Sequence, residues 1–388
     1  MLTVTSPLVL GILLWVVGWC TTTTLVYVMC RRRKNLCRLY HGKIEIVPLT
    51  LLVRLIKRVP IADRFEGSRA VRIFFSVAGI VSFIASLAVF YSMAISHVLQ
   101  LLKSLLEHAE QVVMLPLFQP ILPGITIDIE MFLYMLPSIS IAVVAHELFH
   151  AIAARADRIP IKSAGILFAL GIFFGAFVEP DEEKIKSSSL ASRARLYTAG
   201  ITANMLLALL FFAILSTFSS QYVVLVTSVQ VDSPAYSAGI KPGDVIIEVD
   251  GREIHSIQDL RQVLQEKLCN SILVRHINGQ TELLTVCRKA DEKYIGVYVT
   301  EVPASLVGLG PETAQIVYHL VFWGFVVNLS LAMINAAPLL VTDGALLLGD
   351  VLAAIGGRMG RSVALGVQII TLLLLLLGSM NLYMYIIR

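Results

Sequence analysis

The sequence predicts an α-helical polytopic membrane protein with about six transmembrane helices, one small inserted α+β domain and a re-entrant β-like segment. Three observations predict it. Six apolar runs each approach the roughly 20 residues that cross a bilayer. Of the 388 residues, 57% are hydrophobic and only 15% are charged, and the mean hydropathy is +0.80. Residues 221–303 break the apolar pattern with short β-branched stretches and turn signals. A formal net charge of +4 is too small to point to a nucleic-acid partner.

The first apolar run, Pro7 to Val28, has no basic residues before it and is followed by Arg31-Arg32-Arg33-Lys34. That charge order is the reverse of a cleaved signal peptide and predicts a permanent anchor. The later runs are Val71 to Ile95, Met131 to Ala154, Leu196 to Phe218, Thr313 to Ala337 and Ala364 to Ile387. Arg31 to Arg72 holds twelve basic residues against three acidic ones, and Arg155 to Arg195 holds seven basic residues. Arg358 and Arg361 sit in the loop expected after the fifth run, whereas Gln100 to Glu130 has one basic residue, Lys103. If the spans alternate, the three basic loops share the cytoplasmic side, and both termini lie outside. The basic run at Arg31 is read as a topology determinant that also meets anionic lipid. The expected organisation is an anchor and basic cytoplasmic segment (1–69), a membrane core in two parts (70–220 and 304–388), and the inserted domain (221–303).

Two cytoplasmic segments are more than plain loops. Lys43 to Val59 mixes apolar and basic residues and is read as an interfacial helix or a pair of short strands. Ile161 to Pro180 is nearly long enough to span, but a span there would break the alternation of loop charges. A sheet-like, re-entrant segment fits better, since non-helical backbone survives at membrane depth only where protein or water satisfies it.

The chemistry centres on His146-Glu147-Leu148-Phe149-His150 in the third run. On a helix, residues four apart share a face, so His146 and His150 can offer two imidazole nitrogens to one zinc ion. Glu147 stands beside them as a general base. Two histidines leave a catalytic zinc short of a protein ligand. Ala153 and Ala156 occupy the positions where the extended H-E-x-x-H-x-x-G-x-x-H pattern needs glycine and histidine, which excludes that class. Asp343 and Glu179 remain as carboxylate candidates. Asp343 is flanked by apolar residues, where a carboxylate is costly; Glu179 adjoins Asp181, Glu182 and Glu183 in what reads as a solvated acidic turn. His41, His97, His108, His255, His276 and His319 lack ligand spacing and are read as non-catalytic. The five cysteines form no C-x-x-C pair. Cys269 and Cys287 share the inserted domain, and nothing in the sequence fixes their distance.

The run from Asp232 to Ile254, with Ser233-Pro234-Ala235 and Lys241-Pro242-Gly243-Asp244, resembles protease-associated PDZ domains. The resemblance implies a peptide groove between the first strand, near Leu225 to Thr227, and a helix over Ser256 to Lys267, or a domain that filters substrates by size. The H-E-x-x-H residues, followed downstream by Asn335-Ala336-Ala337-Pro338 and Asp343-Gly344, resemble the site-2 protease family of intramembrane zinc metalloproteases. Gly200 and Asn204 match that family's G-x-x-x-N element. Thr342 departs from it, standing where the N-x-x-P-x-x-x-L-D-G pattern has leucine. The resemblance runs from about residue 70 to about residue 350.

That likeness implies one Zn2+ held by His146, His150 and Asp343, with Glu147 as general base and later proton donor, and Asn335 and Asn204 as substrate-binding residues. It implies transmembrane protein substrates, cut near the cytoplasmic face of the cell membrane after the substrate helix unwinds, with the inserted domain outside. The segment from Gly165 to Gly175 is expected to offer a strand edge to the unwound substrate. Membrane lipids and a peptide ligand of the PDZ-like domain are the other expected partners. Two alternatives belong to other classes. An inactive scaffold would have no need of Glu147, and a metal transporter would need polar residues through several spans, whereas here they cluster near one face.

Overall fold

The structure is a computed structural model that describes residues 7–32, 38–39, 43–47, 49–106, 121, 123, 126–169, 173–289, 292 and 294–387. His41, His108, Arg33 and Lys34, as well as most of the expected outer loop, lie outside these residues. The chain divides into two compact units, 1–208 with 326–388, and 209–325.

The first unit begins with helix α1 (Pro7–Arg32), followed by strands β1 (Arg38–Leu39), β2 (Ile44–Val47) and β3 (Thr50–Ile56) and the short helix α2 (Pro60–Asp63). Helices α3 (Arg69–Leu106) and α4 (Ile129–Ala156) lead to strands β4 (Ile161–Ala169) and β5 (Phe173–Pro180), then to α5 (Glu182–Ser187) and α6 (Leu190–Leu215). The segment from Lys43 to Val59 therefore takes the strand alternative, and the expected re-entrant segment is a β-hairpin. Together they make one antiparallel sheet in the order β1-β2-β3-β4-β5. The pairing narrows the expected strand edge. Gly165 lies in β4, which is paired on both sides by β3 and β5, whereas Gly175 lies in β5, the strand at the end of the sheet. A polar seam crosses the sheet. Arg54 bonds Glu45 at 2.6 Å and Glu179 at 3.1 Å, and the Ser163 hydroxyl donates to Glu179 at 2.6 Å.

Ion pairs fix the C-terminal end of α4. Arg195 on α6 grips Asp157 through two hydrogen bonds of 2.8 and 2.6 Å, the fork geometry that suits guanidinium and carboxylate. Arg155 pairs with Asp63 at 2.7 Å and also with Glu66.

The second unit holds β6 (Tyr222–Val229), α7 (Pro234–Ala238), β7 (Val245–Val249), β8 (Arg252–Glu253), α8 (Ile257–Glu266), β9 (Cys269–Arg275), β10 (Thr281–Cys287) and β11 (Val297–Pro303). A 3₁₀ turn (Ala304–Leu309) leads into α9 (Pro311–Ala336), which crosses back to the first unit, where α10 (Asp343–Ile387) completes the chain. In the second unit, Ser233 caps α7, and Ser256 and Asp259 form a reciprocal capping box on α8. Val224, Val226, Ile246, Ile272 and Val274 are buried in its core. Cys269 and Cys287 lie opposite each other on β9 and β10 and form a disulfide.

The strand order β10-β9-β7-β6-β11 corrects the groove expected from the sequence. β6 is occupied on both sides, by β7 and β11, and has no edge to offer a peptide. The edge strand tied to α8 is β11, whose Glu301 carboxylate accepts a hydrogen bond from the Ile257 amide at 2.6 Å.

Among the described residues, α3, α4, α6, α9 and α10 are each long and apolar enough to cross a membrane, and α1 contributes a shorter apolar stretch, Trp15–Met29. α9 stops at Ala336, two residues before Pro338, as a proline without an amide donor requires. The last helix departs from expectation. Helix begins at Asp343 rather than after a loop, and Gly357 (φ 56°, ψ −122°) breaks it immediately before Arg358.

Candidate metal centre

α4 places His146 and His150 one turn apart on a single face, with their Nε2 atoms 3.0 Å from each other. Asp343, the first residue of α10, brings its Oδ2 to 3.3 Å from each Nε2. The three side chains are only 13–14% exposed. The other two ring nitrogens are held from behind. His146 Nδ1 bonds Asn204 Oδ1 at 2.7 Å, and His150 Nδ1 bonds the Leu196 carbonyl at 2.8 Å. Both partners are carbonyl oxygens, which only accept, so each Nδ1 carries a proton, and in the neutral ring each Nε2 presents a lone pair. Two lone pairs and a carboxylate oxygen then converge on one point, and Asp343 Oδ2 is buried without a hydrogen-bond donor. A bound cation would relieve the mutual repulsion of such a cluster. Two imidazole nitrogens and one carboxylate oxygen are a donor set that suits zinc.

The surroundings explain the precision. Asn204 is fully buried, and its Nδ2 donates to the Ala142 carbonyl at 3.1 Å and to Asn328 Oδ1 at 3.2 Å. Both ends of the amide are therefore engaged, and the end facing His146 is held as an acceptor. Gly200 sits against the two imidazoles, and a Cβ there would overlap both rings. Glu147 Oε2 accepts a hydrogen bond from the Val178 amide of β5 at 2.7 Å, which sets this carboxylate at the sheet's open edge.

Of the residues singled out in the sequence, the structure brings His146, His150 and Asp343 together, with Glu147 beside the histidines on α4 and Asn204 behind His146. Glu179 stands elsewhere, bound to Ser163 and Arg54 on the sheet rather than in a solvated turn. Asn335 donates its amide to the Leu331 carbonyl one turn earlier on α9. Sequence reasoning missed Asn328, Val178 and the Leu196 carbonyl. A signal for Asn328 was present: a second asparagine two helical turns before Asn335 in an apolar span. The other two act through backbone atoms, which side-chain identity does not announce.

Apolar helices and a three-donor cluster on two of them define a multi-pass integral membrane protein with a candidate metal centre. The chain belongs to peptidase family M50, whose family model matches residues 134–378. It is similar to an uncharacterized protein of Methanocaldococcus jannaschii, 29% identical over 205 residues (53% of each chain). It is also similar to a membrane-bound transcription factor site-2 protease homolog of Arabidopsis thaliana, 35% identical over 144 residues (34% of this chain, 27% of the relative). The metalloprotease MmpA of Caulobacter vibrioides is 46% identical over 71 residues (18% of each). The chain thus spans about half the length of the first of these relatives and less of the other two.

Proposed function

We propose that this protein is an intramembrane zinc endopeptidase of the site-2 protease type that cuts transmembrane segments near the cytoplasmic face. The observation that carries the reading is the convergence of His146 Nε2, His150 Nε2 and Asp343 Oδ2 beside the Glu147 carboxylate. These three residues hold one zinc ion. When bound, zinc acidifies water and polarises a scissile carbonyl. Glu147 takes the proton from the attacking water and delivers it to the leaving amine. Asn204 keeps His146 in the Nδ1-protonated form, so its work is orientation of a ligand rather than contact with substrate. Asn335, near the end of α9, remains the candidate for holding substrate backbone.

A helical substrate must unwind before its carbonyl is exposed. The open edge of β5 suits an unwound segment, because strand addition satisfies its backbone donors and acceptors. Glu147 already bonds an outward amide of that edge, which puts the base beside an added strand. Residues 221–303 form the PDZ-like domain, with β11 and α8 as the walls of its peptide groove. The Cys269–Cys287 disulfide favours an oxidising compartment for it. The basic loops favour the opposite, cytoplasmic side of the cell membrane for the metal centre.

The test is Glu147→Gln in purified protein given a transmembrane peptide. Cleavage should vanish while zinc is retained. Undiminished cleavage would remove the protease reading and leave a metal-holding scaffold.

A further inference from the structure

We propose that Thr342 is a positioning residue for Asp343, holding through one hydroxyl the turn that delivers the carboxylate to the metal. The proposal rests on the reading of Asp343 as a zinc ligand. It starts from the one departure within the downstream motif, since leucine at this position could form none of the hydroxyl's hydrogen bonds.

The Thr342 hydroxyl is a hub. It donates to the Ala337 carbonyl at 2.6 Å and accepts from the Leu339 amide at 3.1 Å and the Ala345 amide at 3.3 Å. The first bond ties the turn to the end of α9. The third caps α10, since Ala345 is the third residue of that helix and its amide has no carbonyl within the helix to meet. The Thr342 amide closes the same turn on the Leu339 carbonyl at 3.0 Å. Such ties are needed, because Leu340 stands at φ 49°, where residues with a side chain are uncommon. On the other side of Asp343, Gly344 passes so close to the Ala336 carbonyl that a Cβ there would overlap it. The backbone of Asp343 is therefore clamped between a hydroxyl hub and a backbone crossing. The ligand's own Oδ2 has no hydrogen bond to orient it. Its position is inherited from the turn.

Thr342→Val keeps the shape and removes all three hydrogen bonds; Thr342→Ser keeps the hydroxyl. The experiment measures zinc affinity against a competing chelator, and the visible spectrum with cobalt(II) in place of zinc, on the full chain in detergent. Thr342→Val should weaken zinc by roughly tenfold or more, the scale seen when a residue supporting a ligand is lost, and should shift the cobalt bands. Thr342→Ser should restore both. A valine variant with wild-type affinity and spectrum would overturn the proposal. Should that variant not fold, Thr342→Cys, which fills the same space with a weak hydrogen-bonding group, carries the same two outcomes. Asp343→Asn separates the two readings: if it binds zinc as wild type does, the metal-centre assignment fails, whatever the Thr342 variants show.

Discussion

Replacing Asn204 with leucine tests how the site holds its first ligand. The change removes the acceptor 2.7 Å from His146 Nδ1 and leaves that N–H buried and unpaired. A buried donor without a partner costs about 1–3 kcal/mol. The imidazole can recover part of that only by turning or changing tautomer, and either move takes the Nε2 lone pair off the metal. At about 1.4 kcal/mol per tenfold, the expected loss of zinc affinity is roughly 10- to 100-fold. Asn328→Leu removes one of two acceptors for Asn204 Nδ2 and leaves the Ala142 carbonyl. Its effect should be near the average of about 0.6 kcal/mol for interhelical hydrogen bonds in membranes. Once Asn204 is leucine, the second change should add almost nothing, because both residues act through one amide. The assay is a competitive zinc titration of the four proteins. Asn204→Leu with zinc affinity within about twofold of wild type would refute the reasoning. A raised KM with unchanged zinc affinity would return Asn204 to the role of a substrate contact.

Gly200→Ala should abolish zinc binding, because the added methyl overlaps both imidazoles; zinc content against Gly366→Ala, where a Cβ meets nothing, checks it. His276 should titrate above its ordinary value near 6.5, because hydrogen bonds to Asp244 and Glu282 engage both ring nitrogens and favour the imidazolium. Its contribution to the stability of the second unit is then fully present below about pH 6.5 and lost as pH rises through the folded-state value; a proton NMR titration with a midpoint at or below 6.5 would contradict this. A thiol reagent confined to the outer side of the membrane should label Cys269 and Cys287 only after reduction, and labelling from the cytoplasmic side alone would reverse the proposed orientation.

Much of this arrangement was legible because burial in a membrane makes polar residues conspicuous. His146, His150 and Asp343 stand out in apolar surroundings, and Pro338 marks the end of α9. What was less legible depends on pairing at long range. Residues 43–59 are compatible with helix or strand until β4 supplies a partner for β3. The resemblance to PDZ domains implies a peptide groove beside β6, whereas the strand order leaves the edge to β11. Cys269 and Cys287 became a pair only through the register of β9 and β10. Glu179 looked solvated because its neighbours in sequence are acidic, but its partner Arg54 lies 125 residues away. Thr342 shows in the sequence only as a departure from the family pattern, since nothing local shows that its hydroxyl meets the end of α9 and the start of α10 together.

The proposed zinc site joins α4 and α10 through His146, His150 and Asp343. The most direct measurement is zinc content of the purified wild-type, Asp343→Ala and Glu179→Ala proteins, side by side. One equivalent in the wild type and in Glu179→Ala, with loss in Asp343→Ala, is the predicted result. Zinc retained in Asp343→Ala and lost in Glu179→Ala would contradict the ligand set.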